Sequence, residues 1–380
     1  DGGKLGKLKN VVLCGKGHSF NDVNGGTYSF SGMTGSGILL DNNSHAVLEN
    51  VAVCGFETGV DVRSSHVDLK QIVSSANYNG IRADGRSSIT CDYSIFSGNY
   101  NGCLLNNSTL CGSYDIISAN QNHGFIAANT SNAHLNRSVS VFNGGDGFVS
   151  RNNSNLDLGG SETDYTGTTS DFDNATTAFG VEANYFLSRF RKSSKNGCIS
   201  FRNERGLVAE NNSTLISNSN RVSFNRGYGA DILNNSVLNS SFGNFYGNGY
   251  TGTTASPRGA AGVYISRKSS ANLKHCISAA NYSYGFVAFI DSSIEAINCE
   301  AIGNGFHGPL GQSGEGFSIS QNSYMHITGC TAPKDLVATS TTGGSLFGAA
   351  VGGQTLSINV QTNSAAKIHG TTLGQGWIGN

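Results

Sequence analysis

Short apolar alternations, broken by small polar residues, recur along the chain at a nearly fixed interval. A Gly followed by an apolar residue opens each unit, at Gly37-Ile38, Gly59-Val60, Gly80-Ile81, Gly102-Cys103, Gly124-Phe125 and Gly147-Phe148, then Gly180-Val181, Gly206-Leu207, Gly229-Ala230, Gly262-Val263, Gly285-Phe286 and Gly316-Phe317. Most steps are 21–23 residues, and the longer ones carry insertions. Self-similarity at such a period marks a solenoid. The first and third positions after each Gly are mostly apolar or small, as in Ile38/Leu40, Val60/Val62, Phe125/Ala127 and Phe286/Ala288. A period of two places these inside a strand's buried face and their neighbours outside. A second strand follows, as at 47–51, and a third short one precedes the next Gly. The abundance of Gly, Ser and Asn disfavours helix interiors, which separates this repeat from leucine-rich repeats of similar length.

Two polar series run in phase with the Gly. Ser44, Ser87, Ser131, Ser154, Ser213, Ser236, Ser269, Ser292 and Ser323 each fall seven residues after their Gly. Asn77 and Asn99 lie three residues before the next Gly, and Asn120, Asn143, Asn225 and Asn281 lie four before it. In a parallel stack such side chains repeat about every 4.8 Å and can hydrogen-bond along the column. Cys276, Cys299 and Cys330 share one offset and should stack too. The pattern therefore predicts an all-β chain, a single-stranded right-handed parallel β-helix of about 12 coils of about 22 residues, since parallel crossovers are nearly always right-handed. Residues 1–36 read as an N-terminal entry or cap segment, 37–330 as the β-helix, and 331–380 as a C-terminal capping or oligomerisation segment. A last strand pair, around 356–360 and 365–369, closes the end in this reading.

Composition narrows the function classes. Formal net charge is −1 with 13% charged residues, which argues against a nucleic-acid partner, since that requires a basic surface. No apolar run of 18 or more residues exists, so no membrane insertion is expected. The nine Cys include no CxxC pair, so zinc-ribbon or thioredoxin-like chemistry is not expected. They read as buried free thiols, which suits assembly in a reducing cytosol. The sequons at Asn42, Asn106, Asn152, Asn211 and Asn234 read as stacked turns, not glycan sites. The nine His show no HxxxH or other metal spacing and read as surface or turn residues, and no cofactor is expected. The acidic stretch Glu162 to Asn174 lacks an EF-hand spacing and reads as a solvated loop.

The coil length, the Asn series and the Gly-plus-apolar start resemble the right-handed parallel β-helix superfamily of pectate-lyase-like proteins, over about residues 37–330. The Ser/Asn/Gly-rich, Pro-poor texture is most similar to a bacteriophage tailspike or tail-fibre depolymerase. That resemblance implies a bacterial surface polysaccharide (capsule or O-antigen) as partner and substrate, a homotrimer, and a virion or extracellular location. No Asn-Thr-Asp, Gly-Asp-Asp or Arg-x-Pro-x-x-Arg stands on a strand, which argues against ordinary pectinase chemistry.

Candidate chemistry lies on outward strand positions. Near the N-terminus Asp41, Asp61, Arg63, Arg82 and Asp84 alternate in sign, which predicts a salt-bridge ladder. Farther along, Arg151, Glu182, Glu210 and Asp231 fall on successive repeat units. If each unit is one coil, Glu182–Glu210 and Glu210–Asp231 lie about 8 Å apart between Cα atoms. That spacing suits the two carboxyl groups of an inverting glycosidase. Glu182, Glu210 and Asp231 are thus the candidate acids and bases, with Arg151, Tyr264, Tyr185 and Tyr228 as candidate substrate-binding residues. Long insertions at 155–179, 185–203 and 246–260 flank this region. Glycoside hydrolysis is the leading expectation. The alternatives are a non-catalytic receptor-binding or adhesive fibre, and a polysaccharide lyase or epimerase with Arg63 and Arg82 as the residues of interest. The outward apolar residues Leu39, Leu104, Ile126, Val149, Val208 and Leu233 are expected to supply subunit contacts.

Overall fold

The computed structural model describes residues 6–15, 30, 32–159, 197–249, 261–302, 304, 315–332, 339–340, 345–347, 358–360 and 364–369. Every strand pairing among them is parallel and joins residues about one coil apart, so the chain winds as a β-helix. Each regular coil has three strands. The first is the Gly-led strand, as in Asn101–Asn106, and these stack into one 13-stranded sheet. The second and third, as in Thr109–Ser113 and Ile116–Ser118, form two columns that merge in a 23-stranded sheet, because the strand His45–Cys54 is long enough to belong to both.

The interior is filled by paired positions. In several coils a large first position after the Gly goes with a small third, as in Phe125/Ala127, Phe148/Ser150, Leu207/Ala209 and Phe286/Ala288; the order reverses at Ala230/Ile232, and both are large at Val263/Ile265 and Phe317/Ile319. All of these are buried.

The Gly and Asn series form a single device. A Cβ on Gly147 would meet the Gly206 carbonyl oxygen and Asn203 Nδ2, each at 2.7 Å, and the other Gly of the column are crowded in the same way. Close approach between coils, rather than a special φ, excludes a side chain there. The crowding atom belongs to a buried ladder running Asn77, Asn99, Asn120, Asn143, Asn203, Asn225, Asn248, Asn281, Asn304. Asn143 shows the pattern: its Oδ1 accepts from the Asn120 backbone N–H at 3.1 Å, while its Nδ2 donates to the Ile117 carbonyl at 3.3 Å and to Asn203 Oδ1 at 2.9 Å. Asn143→Ala should orphan several buried groups and cost about 3–5 kcal/mol, at about 1–3 kcal/mol per unsatisfied group. Thermal or denaturant unfolding would register this loss. An unchanged midpoint would show that the ladder is dispensable.

The Ser series forms a second buried ladder, in which each backbone N–H reaches the next Ser Oγ, as from Ser131 to Ser154 at 3.1 Å. Ser65 and Ser108 occupy this ladder although they stand six residues after their Gly. Of the sequon Asn residues, Asn42, Asn152, Asn211 and Asn234 have left-handed backbone (φ 55°, 57°, 58° and 54°), whereas Asn106 ends the strand Asn101–Asn106; the column stacks amide to amide, Asn152 donating to Asn129 at 2.9 Å. The Cys column is present: the Cys299 backbone N–H donates to Cys330 Sγ at 3.2 Å.

Two sequence expectations are corrected. The Gly180 unit is not a level of the stack, because Phe148–Arg151 pairs directly with Leu207–Glu210. The intervening residues therefore form one insertion within a coil, between Asn155–Asp157 and Ile199–Phe201. At the far end, Ile358–Val360 and Ala365–His369 stack on Glu315–Ser320 and Tyr324–Thr328, but Thr339–Ser340 and Ser345–Phe347 pair with their other edges. The expected closing pair is thus one level in from the last described level, which comes from earlier in the chain.

Candidate functional site

The Gly-led sheet turns three columns of side chains outward: the residue before each Gly and the second and fourth residues after it. Toward the N-terminus these columns hold ion pairs formed mainly within each strand, and the expected cross-strand ladder is represented by Arg82 Nε–Asp61 Oδ1 at 3.8 Å. Arg63 donates to Asp61 Oδ2 at 2.5 Å, Arg82 donates to Asp84 Oδ2 at 2.6 Å, and Asn106 donates to Asp84 at 2.8 Å. These charges neutralise one another, although Asp61 is buried and its Oδ1 has no hydrogen-bond partner.

The centre of the same face is different. In the column before the Gly stand His123, Asp146, Arg205 and Tyr228 on four successive coils, and the next column adds Asp231 and Tyr264. Arg205 joins them. Its Nε and Nη2 each donate to Asp146 at 2.8 Å, a bidentate pair, and its Nη1 donates to Asp231 Oδ2 at 2.6 Å. Asp146 and Asp231 are buried although both sit at outward positions. Burial pushes the Asp231 carboxyl up to about 6 against the pull of Arg205, and the negative charges of Asp146 and Glu210 raise it further. Asp231 Oδ1 is buried with no hydrogen-bond partner. For Arg205, burial works against the charge, yet the two carboxylates hold it more firmly protonated than usual.

Two aromatic residues wall the site. The Tyr228 and Tyr264 rings stack with centroids 4.5 Å apart, and burial raises both phenols. His123 closes the other end. Burial lowers its ring pKa, and Nδ1 accepts the Asp146 backbone N–H at 3.0 Å, which fixes a neutral ring with its proton on Nε2. The 3.4 Å approach of Nδ1 to Asp146 Oδ2 is then a close contact, not a second donated bond.

The candidate residues fall as follows. Arg151 and Glu210 are direct register partners on adjacent coils, both half-buried, not two coils apart as the Gly180 reading implied. Glu210 and Asp231 stand on adjacent coils two residues out of register, which keeps their Cα atoms about 8 Å apart. Tyr228 and Tyr264 join the group. Glu182 and Tyr185 lie outside the described residues, as do the acidic stretch 162–174 and most of the insertions. Asp146, Arg205 and His123 were missed, since only positions after the Gly were read as outward.

Between the charged groups lies a second, smaller apolar cluster. Ile126, Ala128, Val149 and Val208 are buried, with Leu104 packed against them. Ile126, Val149 and Val208 point outward from the sheet, so part of this face is covered within the chain. They are not open for the subunit contact expected of them, whereas Leu39 is 49% exposed.

Residues 36–186 match the family described as a right handed beta helix region. Among solved structures the chain is similar to ORF18 of Geobacillus virus E2, at 10% identity and a TM-score of 0.34, over 95% of this chain and 57% of that one. It is similar to the pectate lyase Pel9A at 10% identity and a TM-score of 0.33, over 86% of this chain and 77% of that one. No curated protein matches it in sequence. No helix among the described residues is long and apolar enough to cross a membrane.

Proposed function

We propose that this chain, an all-β right-handed parallel β-helix of pectate-lyase type, binds a polysaccharide across the outer face of its Gly-led sheet and cleaves it by glycoside hydrolysis, as a phage tailspike acting on a bacterial surface glycan. The fold is compatible with binding or degrading polysaccharides. The observation that carries the reading is Asp231, a buried carboxyl at an outward strand position, raised to about 6, with one oxygen on Arg205 and the other unpartnered. Such a group can hold a proton near neutral pH and deliver it to a glycosidic oxygen. Glu210, about 8 Å away between Cα atoms, would take a proton from water. Inverting enzymes hold their carboxyls about 6.5–9.5 Å apart, a separation that side chains on Cα atoms about 8 Å apart can reach. Tyr228 and Tyr264 supply an apolar edge for the sugar ring, and Arg151, the register partner of Glu210 on the adjacent coil, would hold substrate. The chain would act as a homotrimer carried on a phage tail or released outside the cell, with the proposed contacts drawn from exposed positions such as Leu39.

The test is product analysis. Incubation with capsule or O-antigen should shorten the chains, create reducing ends, and give products of inverted anomeric configuration by NMR. An unsaturated uronate product instead would identify a lyase. Retained binding without shortening would favour a recognition fibre, the reading supported by the saturation of Arg205 with two carboxylates.

A further inference from the structure

In a solenoid, the coil period brings distant residues together, so metal ligands need not follow the short spacings of helices and loops. His45 and His66 are direct register partners on the adjacent strands His45–Cys54 and His66–Lys70. Asp68 lies two residues beyond His66 and points to the same side. His45 Nε2 is 3.2 Å from Asp68 Oδ2, and His66 Nε2 is 3.1 Å from Asp68 Oδ1. The two imidazole centroids are 4.5 Å apart at an interplanar angle of 72°.

We propose that His45, His66 and Asp68 bind one divalent transition-metal ion, of which Zn2+ is the reference case. Two imidazole nitrogens and a carboxylate oxygen are a common donor set for such ions, with metal–ligand distances of about 2.0–2.2 Å. The three donor atoms all lie within 4.8 Å of one another, so small rotamer changes suffice to close them round an ion. The three side chains are each about 40% exposed or slightly less, which leaves a coordination position open to water. Thr90 is the register partner of Asp68 on the next coil, so its hydroxyl faces the carboxylate and favours its charged form, the kind of outer neighbour that orients a ligand. Elsewhere on the surface an acid meets a single imidazole, as in His134–Asp157 at 3.1 Å and His326–Glu295 at 3.9 Å. Convergence of two imidazoles on both oxygens of one carboxylate separates this cluster from those ion pairs. A bound ion would clamp two successive coils near the N-terminal end.

Titration of the intact chain with Co2+, followed by its visible ligand-field bands and by displacement with Zn2+, tests the site. One equivalent should bind with a Kd of about 1 μM or tighter and without a thiolate charge-transfer band, which rules out the free Cys as ligands. His66→Ala and Asp68→Asn should each weaken binding at least about tenfold, His45→Gln likewise, and His134→Ala should leave it unchanged. Zn2+ should raise the thermal midpoint of the parent chain and not that of His66→Ala, because only a ligand of the folded state stabilises it. Because the ligands are half-exposed, the variants should fold. A thiolate band, a Kd in the millimolar range, or affinity indifferent to these substitutions would each overturn the assignment. None of these outcomes depends on whether the chain cleaves a polysaccharide.

Discussion

Asp231→Asn is expected to lower the rate of polysaccharide cleavage by about 10²–10⁴-fold, the usual contribution of a positioned general acid, while leaving the fold and glycan binding in place. The amide keeps the size of the side chain and can still accept from Arg205, but it has no proton to deliver. The pH profile should follow. Asp231 acts as an acid only while protonated, and burial sets its carboxyl at about 6. Activity should therefore fall as pH rises through about 6, and the variant should lose that alkaline limb along with its rate. Glu210→Gln should also lower the rate, because the amide cannot take a proton from water. Arg205→Gln serves as the contrast. It leaves Asp146 and Asp231 buried without their cation, and breaking a buried pair costs about 3–5 kcal/mol, so it should lower stability and activity together. Kinetics on a defined oligosaccharide, with circular dichroism as a fold check, would separate these outcomes. Wild-type rates in Asp231→Asn would remove Asp231 from the chemistry.

The fold was legible because its cause is periodic. A coil that must place a Gly against its neighbour's carbonyl and an Asn beneath it writes both residues into every turn, and the apolar interior follows by alternation. Register was legible for the same reason, as the match of Ser131 to Ser154 illustrates. The error at Gly180 came from a Gly-apolar pair that lacked its companions. Seven residues on stands Leu187, and three and four residues before stand Thr177 and Thr176. A level with neither ladder member has nothing to hydrogen-bond along the stack. The site was half legible. Glu210, Asp231, Tyr228 and Tyr264 were reachable from outward strand positions. Asp146 and Arg205 were not, because the strand's outward face also includes the residue just before the Gly. The signal was present as His123, Asp146, Arg205 and Tyr228 in one column, where earlier coils carry Asn79 and Asn101. The His45–His66 pairing escaped because its spacing equals the repeat and looks like no local motif.

Asp115 should make the chain more stable in acid than at neutral pH, and Asp115→Asn should abolish that difference. Asp115 occupies a buried column whose members include Ser94, Ser138, Cys198, Asn220, Cys276, Cys299 and Cys330. Every one of these is uncharged. Asp115 takes the ladder role of a Ser: its Oδ1 accepts the Ser94 backbone N–H at 2.9 Å, and its own N–H reaches Ser138 Oγ at 3.3 Å. Burial pushes its carboxyl up to about 7, only partly offset by the Ser94 bond. The sign follows from proton binding. Between the ordinary carboxylate value and about 7, the folded chain holds a proton that the unfolded chain has released, so stability falls as pH rises through that window. A displacement of this size corresponds to something on the order of 4 kcal/mol by pH 8. In Asp115→Asn no proton is bound in either state, so this pH dependence disappears. The variant should match the parent near pH 4 and exceed it at pH 8, with a midpoint several degrees higher. Asp115→Ser, which repeats the neighbouring rungs, should do the same. Ionisation of Asp115 also disfavours the thiolates of Cys91 and Cys103, which burial already raises. Denaturant unfolding of the three chains at pH 4, 6 and 8 would decide it. Parallel pH profiles for parent and variant would mean that Asp115 carries no penalty, and that the column accommodates a charge as readily as a hydroxyl.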